Sequence, residues 1–356
     1  MSATETPTHS EEGEPHQGHM PAAPPDSYAF VMNIKGLGAA SFELAPGFHL
    51  RRATADEITE IKKTLNTLPV SNIAGSPFPV PNLWERPWPH GNLLPATPLP
   101  EAEWRYFVIA SPSPCQPLLL QLCRILNLAP AELEVGFMRI YHPSPSLPPE
   151  AAKVVSDLAG RFPNLVGGML TFQPDRLFQF VRQSHQTERL FVEIGHEQAE
   201  QIAHIHNLTQ QNEAKLIDFD GYIGQLSALK GVPGDSPLRF LGYFALLEAL
   251  LTHAPVPTDP YDSITRQIKK KLTLLEHRLL YPIDYGEFGT EKHERIWAKM
   301  YDYRSKVAHG GKPNFTNEHK LLKSHQCALN LVRETAKAVI TQALREPQLI
   351  LDLQEC

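Results

Sequence analysis

Tyr301-Asp302-Tyr303-Arg304-Ser305-Lys306-Val307-Ala308-His309-Gly310-Gly311 closes a strongly helical segment, and the rest of the chain is read outward from it. The paired glycines, with Pro313 just beyond, mark a helix C-terminus. Immediately before them stand an arginine, a hydroxyl and a histidine with complementary chemistry. Arg304 is a permanent cation whose planar donor fork suits phosphate. His309 holds or releases a proton near neutral pH, and Ser305 supplies a small donor and acceptor between them. On an ideal helix Ser305 and His309 share a face, whereas Arg304 and His309 lie about 140° apart. Three arrangements bring them together: the arginine swings over, the helix ends near His309, or the two side chains come from different subunits. The spacing favours the last, a composite dimeric site.

The neighbouring segments predict a helical bundle. Pro237 to His253 reads as an apolar helix with proline at its start. Its one acid, Glu248, needs a partner if buried, either as an ion pair with Arg304 or as a group that tunes the site. Asp262 to Leu280 is amphipathic, with Ile264, Ile268, Leu272, Leu275 and Leu279 at helical spacing and Lys269-Lys270-Lys271 opposite. Glu291 to about Ala308 follows, with Ile296, Trp297 and Met300 inward, and Glu318 to Leu344 is a long helix with a core stripe from Leu321 to Ile340. Short connections between such helices imply antiparallel packing. Upstream, residues 196–234 carry two connecting helices, Glu197 to Thr209 and Ala214 to Leu229. Residues 346–356 read as a C-terminal tail.

The first half is different. Of 33 prolines, 24 precede residue 164, which favours short strands and loops over long helices. Tyr28 to Ile34, Phe42 to Leu50 (turned by Pro46-Gly47), Trp104 to Ala110, Leu133 to Tyr141, Leu165 to Phe172 and Arg189 to Gly195 read as strands. Thr54-Ala55-Asp56-Glu57 is a capping box opening a helix with Ile58, Ile61 and Leu65 on one face, and Leu118 to Leu128 is helical. Residues 28–195 are thus an α+β domain, preceded by a disordered tail over 1–27. Trp84, Trp88 and His90 sit in a proline-rich loop, where packing is the commoner explanation than a small-molecule pocket.

Bulk composition narrows the function classes. A chain of 356 residues suggests two domains. No apolar run reaches the roughly 20 residues needed to span a bilayer, and the N-terminus lacks the pattern of a signal peptide. Cys115, Cys123, Cys327 and Cys356 form no CxxC pair, which fits a reducing cytoplasm rather than a disulfide framework or zinc site. The formal charge is −6, yet Arg266 to Lys323 holds 13 Lys/Arg against 7 Asp/Glu. This stretch is either a set of solvated helix faces or a phosphate-attracting patch. His196, His204 and His206 cluster in sequence without a matching carboxylate-rich helix, so a structural role outweighs a metal site. No phosphate loop, GxSxG, HExxH or dinucleotide fingerprint is present.

Two stretches carry a resemblance. Arg239-Phe240-Leu241-Gly242-Tyr243-Phe244-Ala245-Leu246-Leu247-Glu248-Ala249-Leu250-Leu251 and Met300-Tyr301-Asp302-Tyr303-Arg304-Ser305-Lys306-Val307-Ala308-His309-Gly310 resemble the Apea-like branch of the HEPN superfamily, over about residues 235–345. The resemblance implies an all-α HEPN-type antiparallel bundle, usually paired as a homodimer with two motifs facing across a cleft. It implies metal-independent RNA cleavage with no cofactor, in phage defence or stress response, with the N-terminal part as sensor or restraint. Arg304 would hold the scissile phosphate, His309 would be general base or acid, and Ser305 would orient one of them or contact phosphate. Glu248 and Lys306 are supporting candidates. Some HEPN domains only bind, which gives the alternative of a non-catalytic module for dimerisation and for RNA or protein binding.

Overall fold

The computed structural model describes residues 27–67, 82–86, 97–111, 116–139, 169–171, 177, 180, 190–211, 216–255 and 263–355. The reading of the first residues as a tail, the Trp88 and His90 loop and the segment 164–168 lie outside them. An antiparallel sheet opens the chain and a largely helical region follows, with ten α-helices among the described residues.

The strands are β1 (Ser27–Val31), β2 (Ile34–Leu37), β3 (Ser41–Ala45) and β4 (Phe48–Arg52), then β5 (Phe107–Ser111), β6 (Val135–Arg139), β7 (Met169–Thr171) and β8 (Val192–Ile194). Six form one antiparallel sheet in the order β3-β4-β5-β1-β6-β7, and β2 pairs in parallel with β8. The expected single strand from Tyr28 to Ile34 is therefore two. Asn33 breaks it: its side chain donates to the Glu132 carbonyl at 2.7 Å and accepts from the Glu134 N–H at 2.8 Å. Those bonds divert the chain out of the main sheet.

Period-2 alternation assigns the two sheet faces. Tyr28, Phe30, Val108, Ala110 and Phe137 pack on one side with Ile61 and Leu65 of α1 (Ala55–Thr67) and with Trp84 of the single turn α2 (Asn82–Glu85). The capping box before α1 is made, with the Thr54 N–H donating to Glu57 Oε2 at 2.7 Å and the Glu57 N–H to Thr54 Oγ1 at 3.3 Å. Trp84 is fully buried and its indole N–H donates to the Met32 carbonyl, so it is a core residue. Ala29, Val31, Leu50, Phe107 and Ile109 face the other side, against Leu119 and Leu122 of α3 (Gln116–Ile125). From there one apolar cluster continues without a break into the helices.

Those helices are α4 (His196–Gln211), α5 (Phe219–Leu229), α6 (Pro237–Leu251), α7 (Ile264–Leu275), α8 (His293–Ala308), α9 (His325–Arg345) and α10 (Pro347–Glu355). α6 lies at the centre, starting at Ser236, whose hydroxyl caps the Leu238 N–H, with Pro237 in its first turn. Gly242 of α6 lets Leu229 of α5 press against the helix backbone, because a Cβ there would overlap Leu229 Cδ2. The long C-terminal helix begins later than the sequence pattern suggests. Lys323 has φ 60° and Ser324 caps the Cys327 N–H, so α9 starts at His325, behind a 3-10 turn at Lys320–Leu322. It runs through the core, where Thr335 and Thr341 satisfy their buried hydroxyls on carbonyls four residues back, at 2.8 and 2.9 Å.

Residues 346–356 correct the expectation of a tail. Pro347 cannot continue α9 but suits a first helical turn, and α10 buries Ile350 and Leu353. Gln354 ties this helix back to α6 by donating to the Ala249 carbonyl at 2.8 Å.

Candidate functional site

The end of α8 is fastened by backbone geometry. Gly310 takes φ 72°, a left-handed conformation that costs glycine little. Its N–H donates to the Val307 carbonyl at 3.0 Å and the Gly311 N–H to the Lys306 carbonyl at 2.8 Å. This pair of bonds is a Schellman closure. His309 is the last residue before the turn, with φ −91° and ψ 14°, and its N–H donates to the Ser305 carbonyl at 3.1 Å. Of the three arrangements the spacing allows, the structure shows the helix ending at His309.

Each candidate side chain has a distinct setting. Arg304 Nη2 donates to Glu248 Oε2 at 2.9 Å, linking α8 to α6, with the two side chains 30% and 16% exposed. Its guanidinium also lies 5.9 Å from the Tyr301 ring centroid, at the edge of cation–π range. Glu248 Oε1 is buried with no hydrogen-bond partner among the described residues, so this carboxylate depends on Arg304. Ser305 is half-buried beside them, and His309 is exposed with no side-chain partner among the described residues. Lys306 reaches back over the loop to Glu318 at 3.4 Å. The structure thus joins Arg304 to Glu248, leaves His309 free in solvent, and turns Lys306 toward residues 311–318.

Beneath the motif lies a layer that the sequence pattern did not reveal. Tyr303 is buried against Phe240, with ring centroids 4.5 Å apart, and its hydroxyl meets His325 Nδ1 at 2.6 Å. Burial pushes the Tyr303 phenol up to about 12, so it stays protonated beside His325. Burial pushes His325 down, against the opposing pull of the Gly234 backbone and Asp235. His319, fully buried, packs edge-on to Tyr303 at 5.6 Å. Nothing local in the sequence marks His319 or His325, because they reach the site through the turn that delays α9.

The other histidine cluster does not converge. His196 packs edge-on to Phe42, His204 is exposed, and His206 is buried with its pKa pushed down by desolvation. No group of three or more metal-ligating side chains occurs among the described residues, and no helix among them is long and apolar enough to cross a membrane. No protein-family model, curated protein or solved structure matches the chain.

Proposed function

We propose that this chain is a metal-independent endoribonuclease of HEPN type, acting as a homodimer on RNA in the cytoplasm. The observation that carries the reading is a guanidinium anchored from behind by Glu248 on the same helix end as a solvent-facing imidazole five residues on. The sequence resemblance of residues 239–251 and 300–310 supports it. In the proposed reaction the RNA 2′-hydroxyl attacks the adjacent phosphorus and gives up its proton as the new P–O bond forms. The P–O5′ bond then breaks and the departing 5′-oxygen takes a proton, leaving a 2′,3′-cyclic phosphate and a 5′-hydroxyl. His309 serves as the base or the acid, and a second copy across the dimer supplies the other role. Arg304 keeps donor groups beyond Nη2 for the charge that builds on phosphorus-bound oxygen. Glu248 acts as a positioning residue, with Ser305 between the two groups.

The Glu248 pair also favours a second reading. A guanidinium already bound to a carboxylate suits a module that binds RNA or protein without cutting it. Incubating the purified chain with RNA and EDTA, beside His309→Ala, separates the two. Cleavage by wild type alone, ending in a cyclic phosphate, is expected. Cleavage by both proteins, or by neither, removes the catalytic assignment of His309. We place the enzyme in phage defence or stress response, with the α+β part as its sensor, on the resemblance alone.

A further inference from the structure

A second feature lies on α8 and its neighbour. A cleft of about 550 Å³ opens between α7 and the first turn of α8, lined by Arg266, Lys269, Lys270, Thr273, Leu274 and Glu294. Lys269 and Lys270 have no ion-pair partner among the described residues, although acids are plentiful in this chain. Leu274 on the same rim is 63% exposed. Free cations beside an open cleft attract phosphate.

The helix relates this cleft to the motif. Glu294 and Ser305 are eleven residues apart, which on an α-helix returns to within about 20° of the same azimuth and advances about 16 Å. Ala298 and Tyr301 fall between them on that flank, and the acid at its edge, Asp302, is paired with Lys299 at 2.8 Å. We infer that the α7–α8 cleft is a subsite for the backbone of single-stranded RNA flanking the cleaved bond, with Lys269 and Lys270 holding phosphates. This rests on the ribonuclease reading and adds a length requirement to it. A strand touching both places must span about 16 Å, which takes several nucleotides of backbone. A dinucleotide reaches only Arg304, Ser305 and His309.

The test compares cleavage of a dinucleotide and a 20-nucleotide single strand by wild type, Lys269→Glu/Lys270→Glu and Lys269→Gln/Lys270→Gln. Binding of the long strand is measured over a salt series in the His309→Ala background. Both double variants are expected to raise KM for the long strand about tenfold and to leave dinucleotide cleavage unchanged. The glutamine pair should also reduce the slope of log affinity against log salt by about 1.4, two phosphates at about 0.7 each. Equal losses on both substrates, or no loss on either, overturn the subsite. Competition by polyglutamate as effective as by RNA also overturns it, by marking an acidic-peptide site. Failure of the ribonuclease reading looks different: no cleavage of either RNA by wild type, while the lysines still govern binding.

Discussion

Gly310 and Glu248 show how much the candidate site owes to single residues. Gly310 holds φ 72° and closes α8. Gly310→Ala places a side chain in that left-handed conformation, at about 1–2 kcal/mol. Urea denaturation should show that loss, and Gly310→Asn should lose less, because asparagine tolerates the conformation better. Glu248 is held at 2.9 Å by Arg304 in a partly exposed pair. Replacing it with glutamine keeps the shape and removes the charge that orients the guanidinium. The expected result is a drop in kcat of about tenfold, with stability lowered by about 1 kcal/mol after allowance for solvent screening. An unchanged kcat would show that Glu248 does not position Arg304.

At the scale of elements, the fit of α5 against α6 depends on Gly242. Its missing Cβ is filled by Leu229 Cδ2, so Gly242→Ala should destabilise by about 1–3 kcal/mol through overpacking. Adding Leu229→Ala to that variant should recover part of the loss, a coupling that a double-mutant cycle measures directly. The helices of this region were legible in sequence because each has one apolar face and an orthodox cap or stop: Pro237 opens α6 and Gly310 ends α8. Ser236, Ser263 and Ser324 each cap a helix start as their residue types favour. The strand pairs were legible where a turn lay between them, as at Pro46-Gly47. What could not be read was set by distant partners. Asn33 splits β1 from β2 through residues 132 and 134, about a hundred positions away. The positive φ at Lys323 shortens α9, and α10 is a helix because α6 and α9 offer it a surface. At the site, the Arg304–Glu248 pair was accessible from one lone acid on an apolar helix. The Tyr303, His319 and His325 layer was not, since it arises from how a loop folds under α8.

Across the whole molecule, the α+β part and the bundle are joined by charge as well as by apolar surface. Glu132 receives Lys337 at 3.4 Å and Arg333 at 3.4 Å, and Glu134 receives Lys230 at 3.1 Å. Burial alone would push the Glu132 carboxyl up, but Lys230, Lys337 and Arg333 outweigh it and hold it well below the usual carboxylate range. A depressed carboxyl stabilises the fold above the unfolded value, about 4.3, and loses that contribution as pH falls through the folded value. His325 and His206 are also depressed, so their contributions are complete above about 6.5 and fade below it. The urea midpoint should therefore hold from pH 8 to 7, decline from about 6.5, and decline further in acid. His325→Gln should flatten part of the first decline. A midpoint that rises on acidification contradicts this assignment.

The bond from Lys337 to Glu132 also joins positions 205 residues apart. At about 5–20 residues per second, roughly 10–40 s of synthesis separate them. During that interval Glu132 has been made while the cations of α9 that neutralise it have not. Asn33 and Lys230 can hold the loop that carries it before α9 exists, and Lys337 and Arg333 complete its charge balance afterwards. The seam between sheet and bundle is thereby electrically complete only when the last long helix has been made.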